Sequence, residues 1–177
     1  MINLETMILS IIKLLMPLLV SSFLIIPSHA TGFQMPFSWD DYGEGSASVI
    51  YNSDYSDESR TLVAEIDHST SGLQRLYFND FYTGNINSCK YQTTVSDSTT
   101  IVFNNQAVKM SRWCKKFSDA DKYYLELTPA TDRGQNYVIN LFKAATSPIK
   151  IQYNNETLYF PVIGFTKAWN SAGGNAI

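Results

Sequence analysis

Cys89 and Cys114 are the only cysteines of this 177-residue chain, and they lack the CxxC spacing of a redox pair. In an oxidising compartment an isolated pair of this kind reads most simply as one structural disulfide. Such a bond closes a loop of about 25 residues and stabilises by roughly 3 kcal/mol on the chain-entropy argument. Two free thiols, or one nucleophilic cysteine, form the competing reading.

His68 follows Asp67 and precedes Ser69, Thr70 and Ser71, so the ingredients of a catalytic triad are nominally adjacent. A triad is an arrangement in space, however, and no GxSxG elbow occurs. His68 therefore reads as a solvated turn histidine. One histidine beyond residue 30 and two cysteines expected to be oxidised cannot assemble a zinc site. Asp40-Asp41-Tyr42-Gly43-Glu44 and the acidic run Asp54–Glu58 could offer oxygens to calcium, but neither has the spacing of an EF-hand loop. No glycine-rich phosphate loop or nucleotide signature is present, so no metal and no cofactor is implied.

The one notable charge cluster is Lys109, Arg112, Lys115 and Lys116, with Trp113 and Cys114 among them. On a strand, Lys109, Trp113 and Lys115 share one face while Arg112 and Lys116 share the other. A turn around the disulfide would regroup them into a site for an acidic partner surface; otherwise they form a solvated face. Asn155-Glu156-Thr157 matches the N-glycosylation pattern, which matters only in a eukaryotic secretory pathway. Bacterial export is the setting favoured here.

Export is read from the first thirty residues. Met7–Lys13 supplies one positive charge, Leu14–Ile26 an apolar core, and Ser28-His29-Ala30 a small-residue cleavage site after Ala30. The alternative is an uncleaved membrane anchor over 7–26, which is long enough to span a bilayer. Lys13 and Pro17 weaken it as a span. A signal peptide of residues 1–30 leaves 31–177 as a single exported domain, periplasmic or secreted. Its removal takes away Lys13 and Glu5, so the net charge stays at −3. So small a charge disfavours nucleic acid or anionic lipid as the main partner.

Only 16% of the chain is charged, whereas it carries 11 Tyr, 10 Phe and 3 Trp. That composition suits sheets with uncharged polar turns. Strands are expected at 46–51, 61–66, 73–78, 91–95, 99–103, 106–113, 122–128, 149–153 and 157–160, with tight turns at Asn104-Asn105 and Asn154-Asn155. Residues 31–45 read as irregular, with Phe33, Phe37, Trp39 and Tyr42 packed onto the sheet. A helix is expected over about 131–146, capped by Thr131, with Tyr137, Val138, Leu141, Phe142 and Ala145 as its apolar face. The tail 171–177 has little to bury and is expected to be loose.

These elements predict a β-rich α+β fold: mainly an antiparallel sheet, or a sandwich, with one late helix packed on it. With no catalytic constellation, the leading functional expectation is a disulfide-bearing binding protein. It would occlude a protein partner in the envelope or outside the cell, as an inhibitor or immunity-type factor does. A glycan or cell-wall binding module is the alternative, supported if aromatics line one exposed face. A secreted hydrolase is the third, and it requires two carboxylates facing each other across a cleft.

Overall fold

Four asparagines set the two tightest turns of the molecule. Asn104, Asn105, Asn154 and Asn155 adopt φ values of 45°, 71°, 50° and 65°. Two consecutive left-handed residues make the turn whose twist matches paired strands, and Asn tolerates that conformation better than most side-chain-bearing residues. Each pair closes an antiparallel hairpin, as the sequence leads one to expect.

The structure is a computed structural model that describes residues 34–39, 45–52, 59–83 and 86–175. The expected signal peptide, Phe33, Tyr42 and both acidic runs lie outside them. In chain order the strands are β1 (Gln34–Phe37), β2 (Ser46–Asn52), β3 (Ser59–His68), β4 (Gln74–Tyr82), β5 (Asp97–Phe103), β6 (Gln106–Lys116) and β7 (Tyr123–Pro129). Helix α1 (Asp132–Ala144) follows, then β8 (Ile149–Tyr153), β9 (Glu156–Phe160) and helix α2 (Phe165–Ser171). All strand pairs are antiparallel, in the order β1-β2-β3-β4-β7-β6-β5-β8-β9.

The sheet curls until its two edges meet. The Gln34 amide bridges them: Nε2 donates to Thr157 O at 2.8 Å and Oε1 accepts from Tyr159 N at 3.2 Å. One side chain thus stands in for a missing ladder rung and satisfies edge groups that would otherwise invite pairing. Trp39 reinforces the seam by donating its indole N–H to Pro161 O at 3.1 Å.

Alternation places one side chain of every two inside the barrel. Leu62, Ala64 and Ile66 of β3 point inward, as do Leu76 and Phe78 of β4, Ile101 and Phe103 of β5, and Leu158 and Phe160 of β9. α1 begins as expected. Thr131, in extended conformation, accepts from Gly134 N at 3.1 Å, and Asp132 occupies the positive end of the helix dipole. Gly134 permits a close approach, since a Cβ there would lie 3.2 Å from Val108 Cγ1. The fully buried face is Gln135, Val138, Ile139 and Phe142, whereas Tyr137, Leu141 and Ala145 are only partly covered. The apolar stripe is wide enough for the helix to settle rotated toward Ile139.

α1 and α2 close the end of the barrel where β3 finishes and β4 starts. Tyr137 Oη donates to Phe103 O there, and Gln74 Nε2 donates to Trp169 O at 2.7 Å. Phe142 meets Phe78, Phe160, Phe165 and Trp39 with ring centroids 5.1–6.3 Å apart, in tilted and edge-on contacts.

Four local expectations are corrected. Residues 91–95 form no strand, because only Thr93 finds ladder-like bonds. Residues 34–37 are a strand, held by β2 and the Gln34 seam rather than by their own propensity. α2 was too short to announce itself. The tail expected to be loose is held as far as Asn175: Gly174 O lies 2.7 Å from His68 Nε2, and Asn175 Oδ1 accepts from Gln74 N at 2.9 Å.

Candidate functional site

The opposite end of the barrel is polar inside. Strand register places Arg60 of β3 between Tyr51 of β2 and Tyr82 of β4. Arg60 and Asp80 share the inward parity of Leu62, Ala64, Leu76 and Phe78, so both charges enter the lumen. The guanidinium binds the carboxylate twice, Nε to Oδ1 at 2.6 Å and Nη2 to Oδ2. Asp80 is 0% exposed, so each charge depends on the other for compensation. Burial works against the Arg60 charge, yet the hydrogen bonds and charge of Asp80 hold its pKa above the ordinary value.

Tyr51 and Tyr153 complete this cluster, at 1% and 2% exposure, and neither hydroxyl has a hydrogen-bond partner. Burial, followed by the charge of Asp80, raises the pKa of both phenols. Tyr153 Oη is coupled to Asp80, Asn154 and Arg112 around it, although none of these contacts meets strict hydrogen-bond geometry. An unsatisfied buried polar group costs about 1–3 kcal/mol. The helix end carries such a cost as well, at the unpartnered side-chain amide of buried Gln135.

A segment of residues 86–96 forms the lip of the same end. Cys89 and Cys114 are bonded, with Cα atoms 5.9 Å apart. Backbone and side-chain bonds fix the segment on both sides of that bridge. Ser88 N donates to Tyr123 O at 3.1 Å and Tyr123 N to Asn87 Oδ1 at 2.7 Å. Thr93 N donates to Cys114 O at 2.9 Å, and Cys114 N returns a bond to Thr93 Oγ1 at 3.0 Å. Between and beyond these anchors Ile86, Tyr91 and Val95 are 43%, 69% and 79% exposed.

The cationic residues singled out by sequence are divided by β6. Lys109, Trp113 and Lys115 lie outside, while Arg112 faces inward and Lys116 follows it on that parity. β6 continues through Lys116, so no turn at the disulfide regroups them. Acids accompany three of the four cations. Arg112 makes a bidentate pair with Asp97 at 2.9 and 2.6 Å. Lys115 lies 3.5 Å from Glu126, and Lys116 lies 2.8 Å from Asp121. The bond from Asp97, with its charge, raises the Arg112 pKa, and the bond from Arg112 lowers that of Asp97.

Two grooves flank the lip. The first, of 380 Å³, runs beneath Tyr91 and Val95 and has Asp97, Arg112 and the disulfide in its wall. The second, of 540 Å³, crosses the outer face of β4, β7 and β6, with Tyr77 and Trp113 in its lining. Each holds a single carboxylate, Asp97 in the first and Glu126 in the second, so neither has the facing pair a glycosidase uses. Among the described residues no cluster of His, Cys, Asp and Glu could hold a metal ion. His68 sits at the other end of the barrel, engaged with Gly174 O. Asn155 of the glycosylation pattern is exposed at its hairpin turn.

Sequence reading missed Tyr51, Arg60, Asp80 and Tyr153. A usable signal was parity: Arg60 and Asp80 sit on the apolar phase of two consecutive strands with opposite charge. No family model, curated protein or solved structure matches the chain, so function rests on this geometry.

Proposed function

We propose that this chain is an exported binding protein that occludes a protein partner with the lip formed by residues 86–96, as an envelope inhibitor or immunity-type factor does. One observation carries the reading: apolar side chains stand exposed on a segment that a disulfide and four hydrogen bonds hold still. Exposed Tyr and aliphatic side chains on a pre-ordered loop lose little entropy on docking, and such residues act as binding hot spots. The disulfide fits an oxidising compartment, and no helix among the described residues is long and apolar enough to cross a membrane. Both are compatible with cleavage after Ala30 and release of residues 31–177.

The test places a photo-crosslinking amino acid at Tyr91 and, as a control, at Lys109, in the full chain expressed in its source cells. The expected result is one discrete adduct from position 91, absent from position 109 and lost when Val95→Asp is added. The recovered protein should begin at Thr31. Equal adducts from both positions, or none from position 91, would remove the lip as the binding element.

A further inference from the structure

The outer groove differs in chemistry from the lip beside it. Its floor is made of outward-facing residues of three neighbouring strands: Arg75 and Tyr77 of β4, Glu126 and Thr128 of β7, and Ser111, Trp113 and Lys115 of β6. Register sets Ser111 against Thr128 and Trp113 against Glu126. The turn at Ser69 and Thr70 forms one wall, and Gln92, Thr93 and Thr94 form the other. No Leu, Ile, Val, Met or Phe lines it. Two half-buried aromatic rings therefore stand among hydroxyls, an amide and three charged groups, and Lys115 and Glu126 lie 3.5 Å apart.

A protein hot spot calls for an apolar, desolvated pocket, which this lining does not provide. A nucleic acid calls for a strongly basic surface, whereas here Lys115 lies beside Glu126 and Arg75 lies 3.5 Å from Asp132, so the charges balance. A sugar ring has an apolar C–H face for stacking on flat side chains and a rim of hydroxyls that both donate and accept. Rings with hydroxyls, carboxylate and guanidinium between them satisfy both needs at once. The groove volume suits a drug-sized ligand of two or three such rings.

We propose that this groove is an oligosaccharide site, with Tyr77 and Trp113 as stacking platforms and Arg75, Lys115 and Glu126 as hydrogen-bonding groups on the rim. It shares Gln92, Thr93 and Thr94 with the lip, but its floor lies on the outer face of the sheet and gives the molecule a second ligand class. The neutral and uronic-acid forms of a sugar share this chemistry.

The experiment titrates the disulfide-intact protein with the trimer of N-acetylglucosamine and, separately, with the trimer of galacturonic acid. The indole N–H signals are followed by NMR. Trp113 is assigned by Trp113→Phe, and Trp39, buried and bonded to Pro161 O, serves as the internal reference. Movement of the Trp113 signal with that of Trp39 unchanged is expected for at least one trimer. Tyr77→Ala should weaken binding about tenfold, the equivalent of one lost aromatic contact. Because that variant also removes packing, Glu126→Gln, on the outer face, provides a second variant and should weaken binding as well. No movement of Trp113 at millimolar concentrations of either trimer overturns the proposal, as does movement that both variants leave unchanged. Tyr91→Ala should not alter the titration, so failure of the lip and failure of the groove are distinguishable.

Discussion

At the helix end of the barrel, Trp39, Phe78, Phe142, Phe160 and Phe165 fill the lumen ring against ring. At the lip end, β2, β3, β4 and β8 deliver Tyr51, Arg60, Asp80 and Tyr153 into it, with two hydroxyls unpaired. Both ends bury their side chains, but at different cost. The apolar end gains from every methylene it hides, about 25 cal/mol per Å² of apolar surface. The polar end must recover the desolvation of two charges before it contributes anything. The disulfide sits at the second end and ties the lip to β6.

The sharpest way to break this comparison is to remove one charge. Asp80→Ala leaves Arg60 buried without compensation and should cost about 3–5 kcal/mol. That matches Phe142→Ala, which leaves a cavity at the helix end and should cost about 3–5 kcal/mol as well. The distinction appears in the repair. Arg60→Met combined with Asp80→Leu should return stability to within about 1 kcal/mol of the parent or above it, because the desolvation penalty disappears with both charges. Urea unfolding at constant m-value checks all three. A double variant as unstable as Asp80→Ala would show that the ion pair itself holds the strands together.

Opening the disulfide comes next in size. Cys89→Ser with Cys114→Ser should lower stability by about 3 kcal/mol, given a sequence separation of 25 residues. Amide exchange should accelerate at Ser88 and Thr93, whose bonds flank the bridge. Exchange in α1 should change only by the global amount. Equal acceleration at both ends would mean that the bridge supports the whole barrel and not the lip.

How much of this contrast was legible in the sequence follows from the range of the forces involved. The Asn-Asn turns, the Thr131 cap and the antiparallel β-rich class depend on neighbours a few residues apart, so they could be read directly. The Gln34 seam joins residues more than 120 positions apart, which no local pattern contains. β1 is therefore visible only once β9 is in place. For β6, alternation correctly divided Lys109, Trp113 and Lys115 from Arg112 and Lys116. It could not reveal that Asp97, Glu126 and Asp121 stand beside three of those cations. The outer groove needs Tyr77, Glu126 and Trp113 from three strands, and only the sheet order brings them together.

Deleting the unpaired hydroxyls is a smaller and more discriminating change. Tyr51→Phe keeps the ring and removes an orphan polar atom, so it should stabilise by about 1 kcal/mol. Tyr153→Phe also gives up coupling to Asp80, Asn154 and Arg112 and should gain less. Thermal unfolding reads this as a rise of a few degrees in Tm for a domain of this size. A loss of similar size would mean that a bound water bridges the hydroxyls to Asp80, leaving Ser88 Oγ as the unpartnered buried atom of the lip.

The smallest expected effect lies at the rim of the same end, in Arg112 and Asp97. The Arg112 hydrogen bond, outweighing the slight desolvation that acts against it, lowers the Asp97 pKa in the folded chain. A carboxylate whose folded pKa lies below its unfolded one binds fewer protons when folded. Its contribution is therefore complete above the unfolded value and is lost as pH falls through the folded one. For Asp97 that loss begins below about pH 4. Its side chain is 60% exposed, so solvent screening holds the contribution under about 1 kcal/mol. Arg112→Met should flatten the stability profile in that acidic window and leave neutral pH nearly unchanged. Arg60 and Asp80 remain intact in that variant, so any larger fall at neutral pH would place Arg112 inside the buried network with Tyr153. The polar end would then extend from the lumen to the lip as one electrostatic unit, and a partner docking on the lip would act on Asp80 as well.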